Sequence, residues 1–236
     1  MKEIQFFCED EDTAKYFAPV PAKKKMPDWY RAVTKYVDGR KTLPTAKEQV
    51  LGNNSQGNYL TVKNCIPVQD YLTSGYIISA PNDILITPSK DENNVSTFFW
   101  WSSSSNSVGE HGRKQCPVQI NNEKNAYIKF LNPWGIKTPA GYSCFFYQPE
   151  YFFEDRFQLF PAIVDTDAHT SPVSFPGVIT TKEDFKIEAG TPLMAVFPFK
   201  RDAWSSTVKV EKPKKFVTNY LEQAYLKLFH SKKTYN

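Results

Sequence analysis

Histidine, glycine and cysteine are all scarce in this chain, whose 236 residues include 3 His, 10 Gly and 4 Cys. The histidines lie far apart and form neither an H-x-D nor an H-x-x-x-H motif, so the usual ligand spacings of an iron or zinc site are missing. The cysteines include no C-x-x-C pair, and their wide spacing resembles neither a zinc site nor a dense disulfide scaffold. We therefore predict no metal site and reduced, intracellular thiols.

Several other signatures are missing from the sequence. It contains no serine nucleophile elbow, phosphate-binding loop or dinucleotide fingerprint. No apolar signal core follows Met1, and no run approaches the roughly 20 apolar residues of a membrane span. The net charge is only +4, from 29 basic and 25 acidic residues, and the lysine clusters are typical of a solvated face or tail. A membrane partner is therefore not predicted, and nucleic acid is not an expected partner.

Aromatic residues and proline are plentiful, with 18 Phe, 13 Tyr and 17 Pro. Aromatic side chains suit pleated strands and proline interrupts helices, so we predict a mainly β protein with no helix of convincing length between residues 37 and 206. Apolar strands are predicted at residues 59–62, 75–78, 83–86, 96–101, 118–120, 126–131 and 142–147. This short and fairly regular spacing is expected of a sandwich, a jelly roll or a closed barrel.

The two ends of the chain differ from this β-rich core, which we place at residues 59–206. Residues 1–58 are predicted to form an N-terminal extension with a short strand at residues 3–8 and a brief helix around residues 13–17. Residues 207–236 contain apolar side chains four apart, which predict an amphipathic helix over residues 216–229 and a basic tail. The apolar face of that helix needs a partner, either the chain's own β core or another subunit.

Residues 160–199 form the most informative segment. One apolar run there ends in Asp165 and Asp167, and a second is broken by a turn that contains Gly190. On an extended strand, Asp165, Asp167 and His169 would share one face and offer ligands to a divalent cation. Aspartates that bond their own backbone in a turn are the simpler interpretation. We therefore predict a β-hairpin here.

Four segments, in this order, resemble the dUTPase and dCTP deaminase superfamily. Residues 73–86 resemble its opening Gly-Tyr-Asp-Leu strand, and residues 136–142 resemble the strand and Pro-x-Gly turn that lead to the nucleotide site. Residues 163–167, Ile-Val-Asp-Thr-Asp, are similar to its Val-Ile-Asp-x-Asp hairpin, and residues 185–196 to the Gly-containing strand that follows. The resemblance implies a distorted jelly roll, and also a homo-oligomer, since family members commonly form trimers.

The positions that carry this family's chemistry are largely replaced. The resemblance places Asp165 at the water-activating carboxylate, and Mg²⁺ is an expected cofactor only if the chain is such a nucleotide enzyme. Gln148 and Glu150 stand in the segment where the family has a phosphate-binding Pro-Arg-Ser-Gly, and Ala168 replaces a stacking Tyr. A lone general base without phosphate contacts lacks the positioning that makes hydrolysis fast. We therefore predict no cofactor.

The whole pattern is also similar to an uncharacterised family common in tailed bacteriophages and some bacteria. The similarity implies a phage origin, with other phage proteins as alternative partners and the host cytoplasm or the virion as the location. We predict a non-catalytic β-rich binding or assembly protein, such as a phage structural or accessory protein. The alternatives are a divergent nucleotide hydrolase or deaminase, and a binding protein that sequesters a nucleotide or sugar.

Two sets of residues are candidates for contacts, and Asp165 is the catalytic candidate if the protein is an enzyme. The ligand-binding candidates are Tyr142, Arg156, Asp165, Asp167, His169 and Arg201. The interface candidates are Trp100, Trp101, Trp204, Tyr220, Leu221 and Leu228. Because alternation along a strand buries one of two adjacent tryptophans and exposes the other, an interface is as good an interpretation of the Trp pair as a ligand site.

Overall fold

The computed structural model describes residues 2–39, 60–104, 106–112, 115 and 125–210. Over these residues the protein is mainly β, as predicted, with antiparallel sheets and a few short helices. The strand predicted at residues 118–120 and the helix predicted at residues 216–229 lie outside the described residues. So do the interface candidates Tyr220, Leu221 and Leu228.

The strands and helices are short. The strands are β1 Gln5–Phe7, β2 Val20–Pro21, β3 Tyr76–Ser79, β4 Ile84–Lys90, β5 Ser96–Ser102, β6 Val108–Glu110, β7 Tyr127–Phe130, β8 Gly135–Lys137, β9 Tyr142–Tyr147, β10 Phe157–Leu159, β11 Ala162–Val164, β12 Phe175–Ile179, β13 Phe185–Ile187 and β14 Pro192–Lys200. The α-helices are α1 Glu11–Tyr16, α2 Asp28–Ala32 and α3 Ile66–Thr73. Among the described residues, no helix is both long and apolar enough to cross a membrane.

The strands form four antiparallel sheets over the described residues. The largest has the order β11-β9-β14-β3-β2, a second has the order β10-β12-β7-β6, a third has the order β13-β4-β5, and β1 pairs with β8. The inward side chains of the larger sheets meet in one apolar core, in which Ile128, Phe130, Phe146, Met194 and Val196 are almost fully buried. Burial of these side chains supplies the main driving force for folding.

The N-terminal extension adds strands to the core sheets rather than standing apart from them. β1 pairs with β8, and β2 extends the largest sheet by pairing with β3. A second, smaller cluster of buried side chains, Ala22, Ile77 and Ala195, lies under this extension. The predicted strand at residues 3–8 is thereby confirmed as β1.

Two sequence predictions are wrong at the start of the core. The helix α3 occupies Ile66–Thr73, where no helix was predicted, and Leu72 is its buried residue. The strand predicted at residues 59–62 is absent from the described part of that range, where Leu60 forms only an isolated bridge with Tyr36. The hydroxyl of Thr61 accepts a hydrogen bond from the Lys63 N–H and caps a 3₁₀ turn, which ends the extended conformation.

Candidate functional site

Strand pairing brings the turn that follows β11 and the end of β14 to the same end of β9. In the register of β11 with β9, Val164 faces Cys144, so Asp165 follows at the edge of the sheet. In the register of β14 with β9, Lys200 faces Tyr142, so Arg201 leaves the sheet at the same end. Two segments separated by about 35 residues of sequence therefore place a carboxylate and a guanidinium together.

Arg201 binds both aspartates of the turn after β11. Its Nη1 donates to Asp167 Oδ1 at 2.9 Å, and its Nη2 donates to Asp167 Oδ2. The same Nη1 lies 3.1 Å from Asp165 Oδ1. The planar guanidinium matches the two oxygens of one carboxylate, and such bidentate pairs are stronger than bonds between neutral groups. We call Asp165, Asp167, Ser143 and Arg201 the carboxylate–arginine cluster.

Neighbouring strands hold the carboxylates in place. Ser143 Oγ donates to Asp165 Oδ1 at 2.6 Å and accepts from Arg201 Nη1 at 2.9 Å. The Gly141 N–H donates to Asp167 Oδ2 at 2.7 Å. Gly141 has φ +81°, a left-handed conformation that glycine adopts without a steric penalty. The aspartates therefore bond mainly across strands, which corrects the prediction that they bond their own backbone.

A buried pair of hydroxyl groups holds the turn after β11 in place beneath the cluster. Thr166, between the two aspartates, is 1% exposed, and its Oγ1 lies 2.7 Å from the Oγ1 of Thr138. It also donates to Cys144 Sγ at 3.3 Å. Because a buried hydroxyl without a partner is costly, these contacts fix Thr166 inward and force the flanking aspartates outward. The segment is therefore a turn after β11 and not the predicted β-hairpin, because β11 pairs with β9 whereas the next strand, β12, pairs with β10 and β7.

The electrostatics of the cluster favour charged, paired side chains. The hydrogen bond from Arg201, followed by that from the Gly141 N–H, lowers the pKa of Asp167 from 3.8 to about 2. The hydrogen bonds that Arg201 donates to Asp167 in turn raise the pKa of Arg201. A carboxylate with so low a pKa is a weak proton acceptor near neutral pH. The side chain of Asp165 is 60% exposed and is accessible to a ligand.

The structure brings together four of the six ligand-binding candidates. Tyr142, Asp165, Asp167 and Arg201 meet at the cluster, where the Tyr142 carbonyl accepts from Arg201 Nη1 at 3.2 Å. His169 lies on the same turn, and its backbone N–H donates to the Asp165 carbonyl at 2.7 Å. The described residues contain no group of three or more His, Cys, Asp or Glu side chains that could hold a metal ion.

Arg156 lies outside the cluster. Its Nε donates to Glu154 Oε1 at 2.7 Å, its Nη1 donates to the Lys186 carbonyl at 2.8 Å, and its guanidinium lies over the Phe185 ring. These contacts hold Arg156 against β13. Sequence reasoning also missed Ser143, which is buried and reaches Asp165 and Arg201 only through the pairing of β9 with β11 and β14.

A small cavity lies next to Tyr142. It has a volume of about 200 Å³ and is lined by Lys2, Glu3, Ile4, Gly75, Tyr76, Thr138, Pro139, Tyr142, Phe197 and Pro198. The Lys2 ammonium lies 4.2 Å above the centre of the Tyr142 ring and bonds its hydroxyl. The N-terminal residues therefore occupy one side of this cavity and engage the aromatic candidate directly.

The tryptophan candidates lie on or near an exposed sheet face. On β5, Phe98 and Trp100 point to the core, whereas Phe99 and Trp101 are 67% and 61% exposed. Trp101 faces Leu85 of β4, which is 45% exposed. We call Leu85, Phe99 and Trp101 the aromatic face. The predicted alternation of the Trp pair is therefore observed.

Trp204 lies beyond β14 and is 90% exposed, in a segment without assigned secondary structure. The interface candidates of the described chain thus fall into two places. The aromatic face is held by strand pairing, while Trp204 projects from residues 201–210, all of which are exposed.

No protein-family model matches the chain, and no curated protein matches it. A native EIAV dUTPase structure is similar to this chain with 12% sequence identity and a TM-score of 0.33, over 59% of this chain and 86% of that one. A similarity at that level assigns neither a ligand nor an activity to this chain.

Acid should lower the folding stability of the protein by protonating Asp167. With a folded pKa of about 2 and an ordinary value of 3.8, its contribution to stability is complete above about pH 4 and is lost as the pH falls toward 2. We expect Asp167→Asn to be less stable than wild type at pH 7, and to lose less further stability between pH 5 and pH 2. Urea unfolding at a series of pH values measures the free energy of unfolding and its dependence on pH.

Arg201→Met should also reduce the loss of stability between pH 5 and pH 2. If both variants lose as much stability as the wild type over this range, the pairing of Asp167 with Arg201 is contradicted.

Proposed function

We propose that the protein is a non-catalytic binding or assembly protein, built on a dUTPase-like jelly roll with a C-terminal amphipathic helix, whose copies associate through the aromatic face. The observation that carries the proposal is the outward position of Leu85, Phe99 and Trp101 on two paired strands. Soluble monomers rarely leave large apolar side chains together in water, and aromatic residues are enriched where proteins meet.

A second copy of the chain is the occupant that this face fits best. The outward residues that define the face are uncharged, and Thr87, opposite Phe99 on β4, is uncharged as well. In a symmetric dimer contact the same patch serves both partners, so it must be complementary to itself. An uncharged, apolar patch meets this condition without requiring opposite charges, and Lys186, opposite Leu85 on β13, is paired with Asp83 at its edge. The family resemblance favours a closed homo-oligomer for the same chain.

The internal pairing of the carboxylates supports a role without catalysis. Arg201 is the cation that reaches Asp165 and Asp167, and its guanidinium is committed to them rather than to a phosphate. Asp165 Oδ1 accepts from Ser143 and lies next to Arg201. A general base must instead hold an activated water against a positioned substrate.

The segment after β9 supports the same conclusion. Gln148 accepts from the Leu159 N–H at 2.7 Å and donates to the Phe157 carbonyl at 3.3 Å, so its side chain is hydrogen-bonded to the backbone of β10. Glu150 follows in a 3₁₀ turn and adds a negative charge. A carboxylate repels the phosphates of a nucleotide, where a hydrolase needs cations.

Enzymatic assays test the non-catalytic part of the proposal. Purified full-length protein incubated with dUTP or dCTP and Mg²⁺ should give no release of pyrophosphate or ammonia above background, because phosphate contacts are missing. Asp165→Asn should give the same result. Turnover by the wild type that Asp165→Asn abolishes would establish the hydrolase or deaminase alternative instead.

A nucleotide or sugar-sequestering protein is the second candidate. The observations that favour it are the cavity of about 200 Å³ beside Tyr142 and the exposed side chain of Asp165. The similarity to a phage family supports a place in the virion or in the cytoplasm of an infected cell, with other phage proteins as further partners.

A further inference from the structure

The strand β5 is the longest edge strand of the described structure. It has seven residues and is hydrogen-bonded to a strand on one side only, where it pairs with β4. The other strands at sheet edges, which are β1, β2, β6, β8, β10, β11 and β13, have two or three residues each. A sheet edge presents a row of unpaired backbone N–H and C=O groups, so a long edge is a template for pairing with another chain.

The sequence of β5 contains none of the usual protections of an exposed edge. Sheet proteins commonly block such edges with lysine, proline or a bulge. β5 reads Ser-Thr-Phe-Phe-Trp-Trp-Ser, without a charged residue, a proline or a glycine, and it pairs with β4 in one continuous register. The edge strands β2 and β13, by contrast, contain Pro21 and Lys186. The edge of β5 is therefore suited to accept a further strand.

The hydrogen bonds of the β4–β5 hairpin determine which backbone groups of β5 point to this edge. The Asp91 N–H donates to the Val95 carbonyl at 2.8 Å, which makes these residues a hydrogen-bonded pair next to β5. Hydrogen-bonded and non-hydrogen-bonded pairs alternate along an antiparallel ladder. Pro88, which has no N–H, lies opposite Phe98 at a non-hydrogen-bonded position of this alternation. The groups directed away from β4 therefore belong to Ser96, Phe98, Trp100 and Ser102.

These four residues have no backbone partner at the edge among the residues that the structure describes. The next strand, β6, belongs to a different sheet. The segment around β6 bonds β5 through side chains near its two ends, where Ser107 Oγ lies 2.9 Å from Ser102 Oγ and Thr97 Oγ1 donates to Glu110 Oε1 at 3.4 Å. The middle of the β5 edge, at Phe98 and Trp100, thus offers unpaired donors and acceptors to a partner strand.

We propose that two copies of the chain pair edge to edge through β5, antiparallel about a two-fold axis, and join their three-stranded sheets into one sheet. This inference rests on the proposed function, because it specifies how the copies associate. The register that matches all seven residues of β5 places Phe99 opposite Phe99 of the second copy and Trp101 opposite Thr97 of the second copy. The aromatic faces of the two copies then lie side by side on the same surface.

This register satisfies both the backbone and the side chains. The residues that point to the free edge meet one another, Phe98 with Trp100 and Ser96 with Ser102, which gives roughly eight new backbone hydrogen bonds. The two Phe99 side chains form a non-hydrogen-bonded pair, the position at which facing side chains are closest. Aromatic pairs across strands are favourable, whereas like charges directly opposite are unfavourable. Because β5 carries no charge, the second copy brings no like charge opposite it.

Amide hydrogen exchange, followed by NMR on the full-length protein, tests this pairing residue by residue. The amides of Phe98 and Trp100 should exchange at least about tenfold more slowly in the wild type than in the Phe99→Asp monomer. Those of Thr97 and Trp101, which bond β4, should be protected in both. Ser96→Pro removes an edge-facing N–H from each copy and should weaken association about tenfold, whereas Ser96→Ala keeps the N–H and should associate like the wild type.

The outcomes separate this inference from the proposed function. A wild-type oligomer whose Phe98 and Trp100 amides exchange as fast as those of the Phe99→Asp variant would overturn edge pairing and leave association through the aromatic face standing. Equal association of Ser96→Pro and Ser96→Ala, or a wild-type mass of three chains, would also overturn edge pairing alone. A wild type that is a monomer at every concentration would overturn both.

Discussion

Phe99→Asp is expected to convert the protein from an oligomer to a monomer of 27.1 kDa. Phe99 is 67% exposed and lies beside Trp101 on the aromatic face. In an assembled face the new carboxylate would lose water without gaining a partner, and such a buried charge is strongly unfavourable. Truncation of a central aromatic residue alone costs about 2 kcal/mol or more, so dissociation should become at least about 30-fold easier.

Ile163→Asp provides the matched control for this substitution. Ile163 is 63% exposed and also lies in a strand, but on β11 of the largest sheet rather than on the aromatic face. It adds the same charge to the chain. Size-exclusion chromatography with light scattering should therefore give an oligomer for Ile163→Asp and a monomer for Phe99→Asp. Equal masses for the two variants would remove the aromatic face as the interface.

Phe157→Ala is expected to produce the largest loss of folding stability. Phe157 is 1% exposed, and its ring lies 5.2 Å from that of Phe130 and 6.2 Å from that of Phe185. Replacement by alanine removes these contacts and leaves a cavity between β7, β10 and β13. Such substitutions cost about 3–5 kcal/mol, and urea unfolding at one fixed protein concentration measures the loss.

Phe153→Ala separates the effect of burial from that of residue type. Phe153 is 67% exposed at the end of a 3₁₀ turn, where it contacts the ring of Trp29. Because most of its surface is already in water, its replacement should cost less than about 1 kcal/mol. A loss from Phe157→Ala that is no greater than this would be inconsistent with the described core.

Strands with strong local signals could be predicted from the sequence. The aromatic run at residues 142–147 coincides with β9, and turn residues correctly separate β3 from β4, although β4 continues to Lys90 beyond its predicted end at residue 86. The prediction that one of Trp100 and Trp101 is buried and the other exposed is also confirmed, because a strand has a period of two residues. Local pattern was sufficient where one side of a strand is buried.

The helix α3 could not be predicted in the same way. It has only eight residues and one buried side chain, Leu72, so it has almost no periodic signal. Tyr71 instead packs its ring 5.5 Å from that of Tyr147 and 5.2 Å from that of Tyr151. These partners lie far along the chain, so tertiary packing rather than local propensity stabilises this helix.

The candidate site was predicted in part. The pattern at residues 163–167 located the strand β11 and the aspartates after it, but the predicted hairpin is wrong, and the pattern gave no indication that Arg201 would neutralise the aspartates. That contact depends on β14 pairing with β9 over six residue pairs, which sets where Arg201 leaves the sheet. Arg156 was misplaced for the same reason, since its partner Glu154 is local but its position against β13 is not.

The mass of the wild-type chain in solution is the most direct test of the proposed assembly role. Light scattering on the full-length protein over a range of concentrations should give a multiple of 27.1 kDa, with Phe99→Asp measured beside it at 27.1 kDa. A wild-type mass of 27.1 kDa at every concentration would contradict the proposal that copies of this chain associate through the aromatic face.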